Sequence, residues 1–459
     1  MNRLPPEVLT SCATFVSDTD PRPIVPLTHV CRYWRTSISS NPRSWASIST
    51  EWRRLAPLCL ERARAAPLAV DITIPDVKGD QRFLQTLLPH VARIAHLSLT
   101  EYLSIGAVAD DLPCFFASPM PNLTSLELRQ VEKPDELFPS SEAPAPPVFQ
   151  SVSRLKSLHL TRTPLYRALF DIASLVELKL TGYTKPFHFG TFIGFLASNP
   201  NLKTVALDVK FVEGSVWTVP VRTTILVHLR HLSITCAKPV DAKGLLSCIS
   251  LRGGNRLEVS CSRCTTFAWC LPSPPTPIQK ALAPITVVKF RTAPTEIHAI
   301  GGNSFFSFRC PGPMLPRNPE LYPLPTASVR EFHASVAPWA LTPMFLVSIF
   351  TQLPTLETLA LVDVTHPTTG IFDSLAEEPS LCPSLKTIAF HNWIFTPEAM
   401  EEFEGAVERR KGSAAAPLYR VVFVSSTSGG LPDHALIQQL RQQVPCVDVR
   451  VDDKLPDLS

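Results

Sequence analysis

Several features are scarce or missing in this 459-residue sequence. Glycine is scarce, with 17 residues, which excludes a collagen-like chain because collagen needs glycine at every third position. Charged residues make up only 18%, and the formal net charge of +3 is too small over this length to favour nucleic acid or an anionic membrane as a partner. The longest apolar stretch, Trp339 to Phe350, contains a proline and falls short of the ~20 residues that a membrane span needs.

Motifs of known chemistry are missing as well. The sequence contains no H-E-x-x-H, G-x-S-x-G, P-loop or G-x-G-x-x-G pattern. We therefore expect no enzymatic activity and no cofactor, although the sequence leaves open a Cys-His pair that only the fold brings together. The N-terminus has no basic head followed by an apolar run, so we expect no secretory signal and a cytoplasmic and/or nuclear location. In such a compartment the 12 cysteines are expected to be reduced and mostly buried thiols.

One cysteine pair has a spacing that metal sites use. It is Cys261-Ser262-Arg263-Cys264, with Cys248 and Cys270 nearby in the sequence. A structural zinc site usually needs a second matched pair, and the sequence shows none. We therefore expect structural thiols and no metal here, with a metal site and a redox pair as the less favoured alternatives.

Proline is abundant, with 46 residues, or about a tenth of the chain. So much proline does not fit many long helices or central strands, and it favours a fold with many connections, each stopped by a proline. Hydrophobic residues make up 45%, which provides for a large core and excludes a mostly disordered chain.

The first fifty residues predict three short helices. Apolar residues of the first recur on one helical face, and Asn41-Pro42 is typical of a cap that starts the third. Three short helices bury little surface by themselves, so this unit either covers the end of the remaining chain or docks onto a partner. The predicted apolar positions are Leu4, Val8, Cys12 and Phe15 in the first helix, Leu27, Val30, Cys31, Trp34 and Ile38 in the second, and Trp45 and Ile48 in the third.

Three pieces of this segment together resemble an F-box of the form common in fungal F-box proteins. They are the Leu-Pro-x-Glu-Val-Leu opening, Val30-Cys31-x-x-Trp34-Arg35 and Asn41-Pro42-x-x-Trp45, about a tenth of the chain. The resemblance implies docking onto the Skp-type adaptor of an SCF ubiquitin ligase, with Leu4 and Pro5 facing the adaptor and Trp34 and Trp45 mainly holding the helices together. The adaptor-binding residues that it implies are Leu4, Pro5, Glu7, Val8, Leu9, Leu27, Val30, Cys31, Trp34 and Trp45.

A short pattern, apolar-x-x-apolar-x-apolar, recurs over the rest of the chain with a mean spacing of about 29 residues. This period and pattern resemble a leucine-rich repeat, in which each strand presents alternate side chains to one core and the chain returns outside. An ordinary α/β domain with parallel strands is the alternative. The middle apolar residues of the copies are Leu97, Leu126, Leu158, Leu178, Val205, Leu232, Leu257, Val288, Phe332, Leu359, Ile388 and Val421, and Val447, Val449 and Val451 predict a last strand.

The predicted fold class is therefore α/β: a three-helix F-box over residues 1–50, linking helices over 51–90, and an irregular leucine-rich-repeat solenoid over 91–459. Parallel strands would lie inside this solenoid, and helices and loops outside. Two inserts are predicted, near 134–147 and near 292–325; the aromatic residues of the second would cover the repeats or contact a partner. Helical returns are predicted over Gln81–Val91, Phe189–Ala197, Pro343–Gln352, Gly370–Glu377, Thr396–Arg410 and Asp433–Val444.

The side chains between the repeat leucines are expected to point away from the core, onto the surface where solenoids commonly bind. Their charges have both signs, which argues against a phosphate groove, and a solvated face without a ligand is the alternative. The candidate substrate-binding residues are Glu127, Arg129, His159, Lys179, Asp208, Ser233, Lys289, Arg291, His333 and His391.

Together these features predict a substrate-recognition adaptor of an SCF-type ubiquitin ligase. Its expected partners are the Skp-type adaptor with the cullin ligase core and an unknown substrate protein, with no nucleic acid and no membrane. The alternative is a non-catalytic leucine-rich-repeat scaffold without a ligase role.

Overall fold

The structure is a computed structural model. It describes residues 4–17, 24–74, 77–101, 115, 118–130, 153–163, 172–183, 188–208, 210–211, 224–251, 254–262, 264, 269–272, 276–292, 295–310, 321, 324–336, 342–363, 372, 381–393, 395–412, 417–425 and 431–451. The predicted insert near 134–147 lies outside these residues. The chain belongs to the mixed α/β class, and 17 of the described strands form a mostly parallel, open sheet. It divides into two compact units, Met1–Pro186 with Gly194–Val209 and Phe187–Ile193 with Lys210–Ser459.

Short helices form the N-terminal part of the first unit. They are α1 (Pro6–Ser17), α2 (Ile24–Thr28) and α3 (Arg32–Ser40), followed by a 3-10 helix over Pro42–Trp45. The predicted second helix is thus split in two. The break occurs because Cys31 is extended and caps α3, its Sγ accepting a hydrogen bond from the Trp34 backbone N–H at 3.5 Å. The predicted third helix is wrong beyond Trp45, since Ile48 lies on a strand, β1 (Ser47–Ser49).

The predicted cap at Asn41 is confirmed. The Asn41 side chain accepts a hydrogen bond from the backbone N–H of Arg43 at 3.3 Å, and Pro42 starts the 3-10 helix behind it. Its amide also donates to the hydroxyls of Ser44 at 2.9 Å and Thr14 at 3.3 Å, so one side chain joins α1 to the end of α3. Trp45 is buried, and its Nε1 donates to the carbonyl of Ile38 at 3.0 Å.

Seven parallel strands follow chain order in the first unit. The middle apolar residues of the predicted copies are successive Cα partners, Leu97 with Leu126, then Leu158, Leu178 and Val205, and all are buried, which confirms the predicted register. The strands are β1, β2 (Leu68–Ile74), β3 (Ile94–Glu101), β4 (Ser125–Gln130), β5 (Ser157–Thr161), β6 (Glu177–Thr181) and β7 (Thr204–Asp208).

The segment predicted as linking helices, residues 51–90, differs from expectation. It contains α4 (Ala56–Ala63), α5 (Val77–Leu87) and the start of a 3-10 helix over Leu88–Arg93. Between α4 and α5 it also contains β2, which pairs with β1 and β3. The array of strands therefore begins before the predicted repeats do.

The second unit continues the repeated strands and inserts a hairpin among them. The spatial order is β9, β11, β14, β13, β12, β15, β16, β17, β18, β19. Val288, Phe332, Leu359, Ile388 and Val421 are successive Cα partners, as predicted. The strands are β8 (Thr224–Ile225), β9 (His231–Cys236), β10 (Ile249–Ser250), β11 (Arg256–Cys261), β12 (Val287–Thr292), β13 (Thr295–Gly301), β14 (Ser304–Cys310), β15 (Glu331–Ser335), β16 (Thr358–Val362), β17 (Thr387–His391), β18 (Arg420–Ser425) and β19 (Cys446–Val451), with β8 and β10 in a separate pair.

The hairpin β13–β14 lies in the segment predicted as an insert near 292–325. It separates β11 from β12, and β13 is antiparallel to both of its neighbours. Gly301 ends β13 where a Cβ atom would lie 1.9 Å from the carbonyl oxygen of Pro284, and Gly302 has a φ of +54°. The aromatic residues Phe306 and Phe308 are buried, so they cover the core rather than face a partner.

Proline begins helices more often than it ends them. Among the described helices of the second unit, four start at a proline, Pro239, Pro277, Pro343 and Pro397, where the missing N–H is not needed. The predicted returns near 343–352, 396–410 and 433–444 are confirmed, and Thr396 caps its helix as expected; Gly370–Glu377 lies outside the described residues apart from Phe372. The remaining helices are Phe189–Ser198, Pro239–Cys248, Pro277–Leu282, a 3-10 turn at Thr326–Ser328, Pro343–Gln352, Pro397–Lys411 and His434–Gln443.

A small polar side chain links several repeats to the preceding one. It stands four residues before the middle apolar residue and donates to a carbonyl of the previous repeat. The type varies among Asn, Ser and Thr, so no single consensus residue shows the link in the sequence. The bonds run from Asn122 to Ala92 at 2.8 Å, Ser174 to Leu155 at 2.8 Å, Asn201 to Ala173 at 2.9 Å, Ser328 to Ile285 at 2.8 Å and Thr355 to Val329 at 2.9 Å.

Candidate protein-binding surfaces

The first candidate surface is the outward side of α1. Val8, Cys12 and Phe15 lie at helical spacing on this side and are exposed, Val8 by 45% and Phe15 by 80%. Leu9 and Ala13 lie about 100° further round the helix and are buried. The helix thus has two apolar stripes, and the stripe that the sequence pattern singles out is the one that faces solvent.

Two more apolar side chains of the same segment are exposed, Leu4 by 49% and Val30 by 59%. The hydroxyl of Tyr33 in α3 donates to the backbone carbonyl of Leu4 at 2.7 Å and so holds the start of α1 against α3. We call Leu4, Val8, Cys12, Phe15 and Val30 the N-terminal apolar face.

The other predicted adaptor-binding residues divide by burial. Pro5, Glu7 and Cys31 are exposed, and Leu27 and Trp34 are half-buried. Leu9 and Trp45 are buried, which places them in the core of the unit, where they support the helices from inside.

The second candidate surface is the solvent-facing side of the strands in the first unit. Glu127 is its centre: His159 Nδ1 lies 2.5 Å and Arg129 Nε 2.7 Å from the same carboxylate oxygen. The hydrogen bond from His159, with that from Arg129, lowers the pKa of Glu127 to about 2. Three predicted substrate-binding residues are thus brought together as one ionic group.

Polar groups on the next two strands extend this cluster. Thr161 and Thr181 form a hydrogen bond of 2.9 Å, and both lie within 3.5 Å of His159 Nε2. Lys179 is exposed on the same row, as the Cα partner of His159. Asp208 is exposed at the end of β7 and accepts a hydrogen bond from the backbone N–H of Gly182 at 3.2 Å.

In the second unit, the charged centre of the solvent-facing side is Glu296 on the hairpin. Arg309 Nε lies 3.1 Å, Arg291 Nη1 3.9 Å and His298 Nε2 4.0 Å from its carboxylate. Glu296 is the Cα partner of both Arg291 and Arg309, so the charges are direct cross-strand neighbours. The repeat pattern predicted Arg291 as a candidate binding residue. It did not predict Glu296, His298 and Arg309, because the hairpin does not follow this pattern.

Half-buried histidines accompany this centre. Burial lowers the pKa of His298, His333 and His391, which favours neutral imidazoles near pH 7. Lys289 is the Cα partner of both His298 and His333. Glu258 and Glu331 also act on these histidines, so the cluster combines the cations Lys289, Arg291 and Arg309 with the carboxylates Glu296, Glu258 and Glu331. Ser233, the remaining candidate, is half-buried on β9 and is the Cα partner of Glu258.

One group of described residues has the donor atoms of a metal site. The Sγ atoms of Cys261, Cys264 and Cys270 all lie within 4.8 Å of one another, and all three residues are buried. The sequence spacing singled out Cys261 and Cys264 as a possible metal pair, and it gave Cys270 only as a cysteine nearby in the sequence. Within the described ranges, no helix is long and apolar enough to span a membrane.

Comparisons with known proteins identify no family for this chain. No protein-family model matches it, and no curated protein matches it.

Proposed function

We propose that this protein is a substrate-recognition adaptor of an SCF-type ubiquitin ligase. In this proposal, the three N-terminal helices are an F-box that docks onto a Skp-type adaptor, and the strands form an irregular leucine-rich-repeat array that binds a substrate protein. The N-terminal apolar face is the observation that carries the proposal. It lies on the segment whose sequence resembles an F-box, and it exposes large apolar side chains although the same helices also have a buried side.

The energetics of this face suit a docking surface. Burial of apolar area stabilises a complex by about 25 cal/mol per Å², and large side chains near the centre of an interface contribute most. Large apolar side chains that remain exposed in one segment commonly mark a site of interaction. Leu9, Ala13 and Trp45 of the same segment are buried, so the exposed side chains are presented by helices with their own core.

The substrate side of the proposal rests on the two solvent-facing clusters. Both clusters offer charges of both signs, and threonine hydroxyls lie beside the cluster around Glu127. They favour a partner segment that carries charged side chains of both signs. In this role the chain supplies proximity between substrate and ligase, and the covalent chemistry belongs to other subunits.

Binding to a purified Skp-type adaptor, measured by calorimetry, tests the proposal. The double change Leu4→Ala and Pro5→Ala removes about 100 Å² of apolar contact, worth about 2–3 kcal/mol, or roughly 30- to 150-fold in affinity. The change Met344→Ala is the matched control, since Met344 is also an exposed apolar residue, 62% exposed, but lies in the second unit.

Circular dichroism on the same samples should show that both variants stay folded. An affinity that the double change leaves intact, or an equal loss in the control, would contradict the docking surface. A wild-type chain that binds no Skp-type adaptor would leave the scaffold alternative in its place.

A further inference from the structure

Five buried cysteines gather at one end of the strands in the second unit. β9, β11 and β14 each end in a cysteine, at Cys236, Cys261 and Cys310, and these strands are parallel neighbours. Cys236 and Cys261 are Cα partners, and the register of β14 sets Cys310 beside Cys261. Cys264 and Cys270 follow β11 in the chain. The pairing of strands thus collects thiols that are far apart in the sequence.

The distances among these sulfur atoms fit coordination of one ion. Cys264 Sγ and Cys270 Sγ are 3.5 Å apart, and with Cys261 Sγ they form a group within 4.8 Å. Thiolates at about 2.3 Å from a tetrahedral zinc ion are about 3.8 Å from one another. Cys236 lies beside Cys261 as its Cα partner, but its Sγ is not among the sulfur atoms that lie within 4.8 Å of one another.

The group is closed off from solvent. All five cysteines are buried, and Cys264, the most exposed of them, is 7% exposed. Several thiolates cannot share such a site without a cation, whereas a soft divalent ion replaces their protons directly.

We propose that Cys261, Cys264 and Cys270 bind one Zn²⁺ ion as thiolates. Thiolate ligands select Zn²⁺ over Mg²⁺ or Ca²⁺, which take oxygen ligands. Three protein thiolates fill three positions of a tetrahedral ion, and a water molecule or a further ligand fills the fourth. The ion ties Cys264 and Cys270 to Cys261 at the end of β11.

This site is tested by the metal content of the full chain. The chain is purified without chelator, and its metals are measured by elemental mass spectrometry. We expect zinc equimolar with the chain in the wild type, loss of the zinc in Cys264→Ser and in Cys270→Ser, and retention in Cys248→Ser. Cys248 is a matched control because it is a buried cysteine of the same unit outside the group. Equal loss of zinc in the control would overturn the assignment.

A serine variant that fails to fold would lose zinc for another reason, so a second measurement is made on the wild type. After zinc is removed, Co²⁺ titration should give a sulfur-to-cobalt charge-transfer band and the visible bands of a tetrahedral site. Cys261→Ser should change this spectrum and Cys310→Ser should not; the reverse would overturn the ligand set. A wild type without zinc or cobalt bands, or a Cys264–Cys270 disulfide after rapid thiol blocking, would overturn the site.

Discussion

Leu178 lies at the centre of the predicted repeat register in the first unit. Its side chain is fully buried on β6, and its Cα partners are Leu158 on β5 and Val205 on β7. The change Leu178→Ala removes three carbons, worth about 2.4 kcal/mol at about 0.8 kcal/mol each. The cavity that remains adds to this, so we expect a loss of about 3–4 kcal/mol in the free energy of unfolding, within the range known for buried leucines.

Hydrogen exchange followed by mass spectrometry localises this loss better than a global melt, because a chain of two units need not unfold in one step. About 3 kcal/mol corresponds to a roughly 150-fold larger opening constant, which should appear in peptides covering β5, β6 and β7. Peptides covering β16 in the second unit should exchange as before. Lys179→Ala is the control, since Lys179 adjoins Leu178 on the same strand but is exposed. If Leu178→Ala exchanged like its control, the predicted register would not describe the core.

Two further predictions concern the solvent-facing side of the strands in the first unit. Charge reversal of Lys179 to Glu should reduce recovery of the bound substrate in affinity purification, while the melting temperature changes little, because isolated surface changes are usually within ~0.5 kcal/mol; undiminished recovery would place substrate binding elsewhere. The pKa of Glu127 is lowered from 4.5 to about 2, so the carboxylate stabilises the fold above pH 4.5, and this contribution is lost as the pH falls towards 2. The difference in melting temperature between the wild type and Glu127→Gln should therefore shrink over this interval, and a difference independent of pH would refute the ionic role of Glu127.

The repeated strands were predictable because their signal is local. Each copy places its apolar residues at fixed short spacings, and a buried parallel strand needs little more than that. The strand β2 was missed because its alternating residues, Leu68, Val70 and Ile72, lack the two-residue gap of the repeat pattern and stand between helices. The hairpin was missed for a similar reason: Ile297 and Ala299, then Phe306 and Phe308, alternate around a glycine pair, but they fall outside the repeat period.

The candidate sites depend on information that the sequence does not contain locally. Helical periodicity shows that α1 has apolar stripes but not which of them is covered, and only the packing of Leu9 and Ala13 decides it. The ionic cluster around Glu296 arises from pairing between β12, β13 and β14. Likewise, Cys236 lies 25 positions before Cys261 in the sequence, and only their pairing as Cα partners makes them neighbours.

The hairpin changes how many residues the second unit uses to widen its sheet. A repeat of about 29 residues widens a sheet by one strand spacing, about 4.8 Å, whereas residues 295–310 widen it by two. The repeat strands β11 and β12 consequently stand about 14 Å apart instead of lying side by side, although both still run in the same direction. A partner that touches side chains on both strands must bridge the hairpin. Its footprint there is therefore set by Glu296, His298 and Arg309, which belong to no repeat.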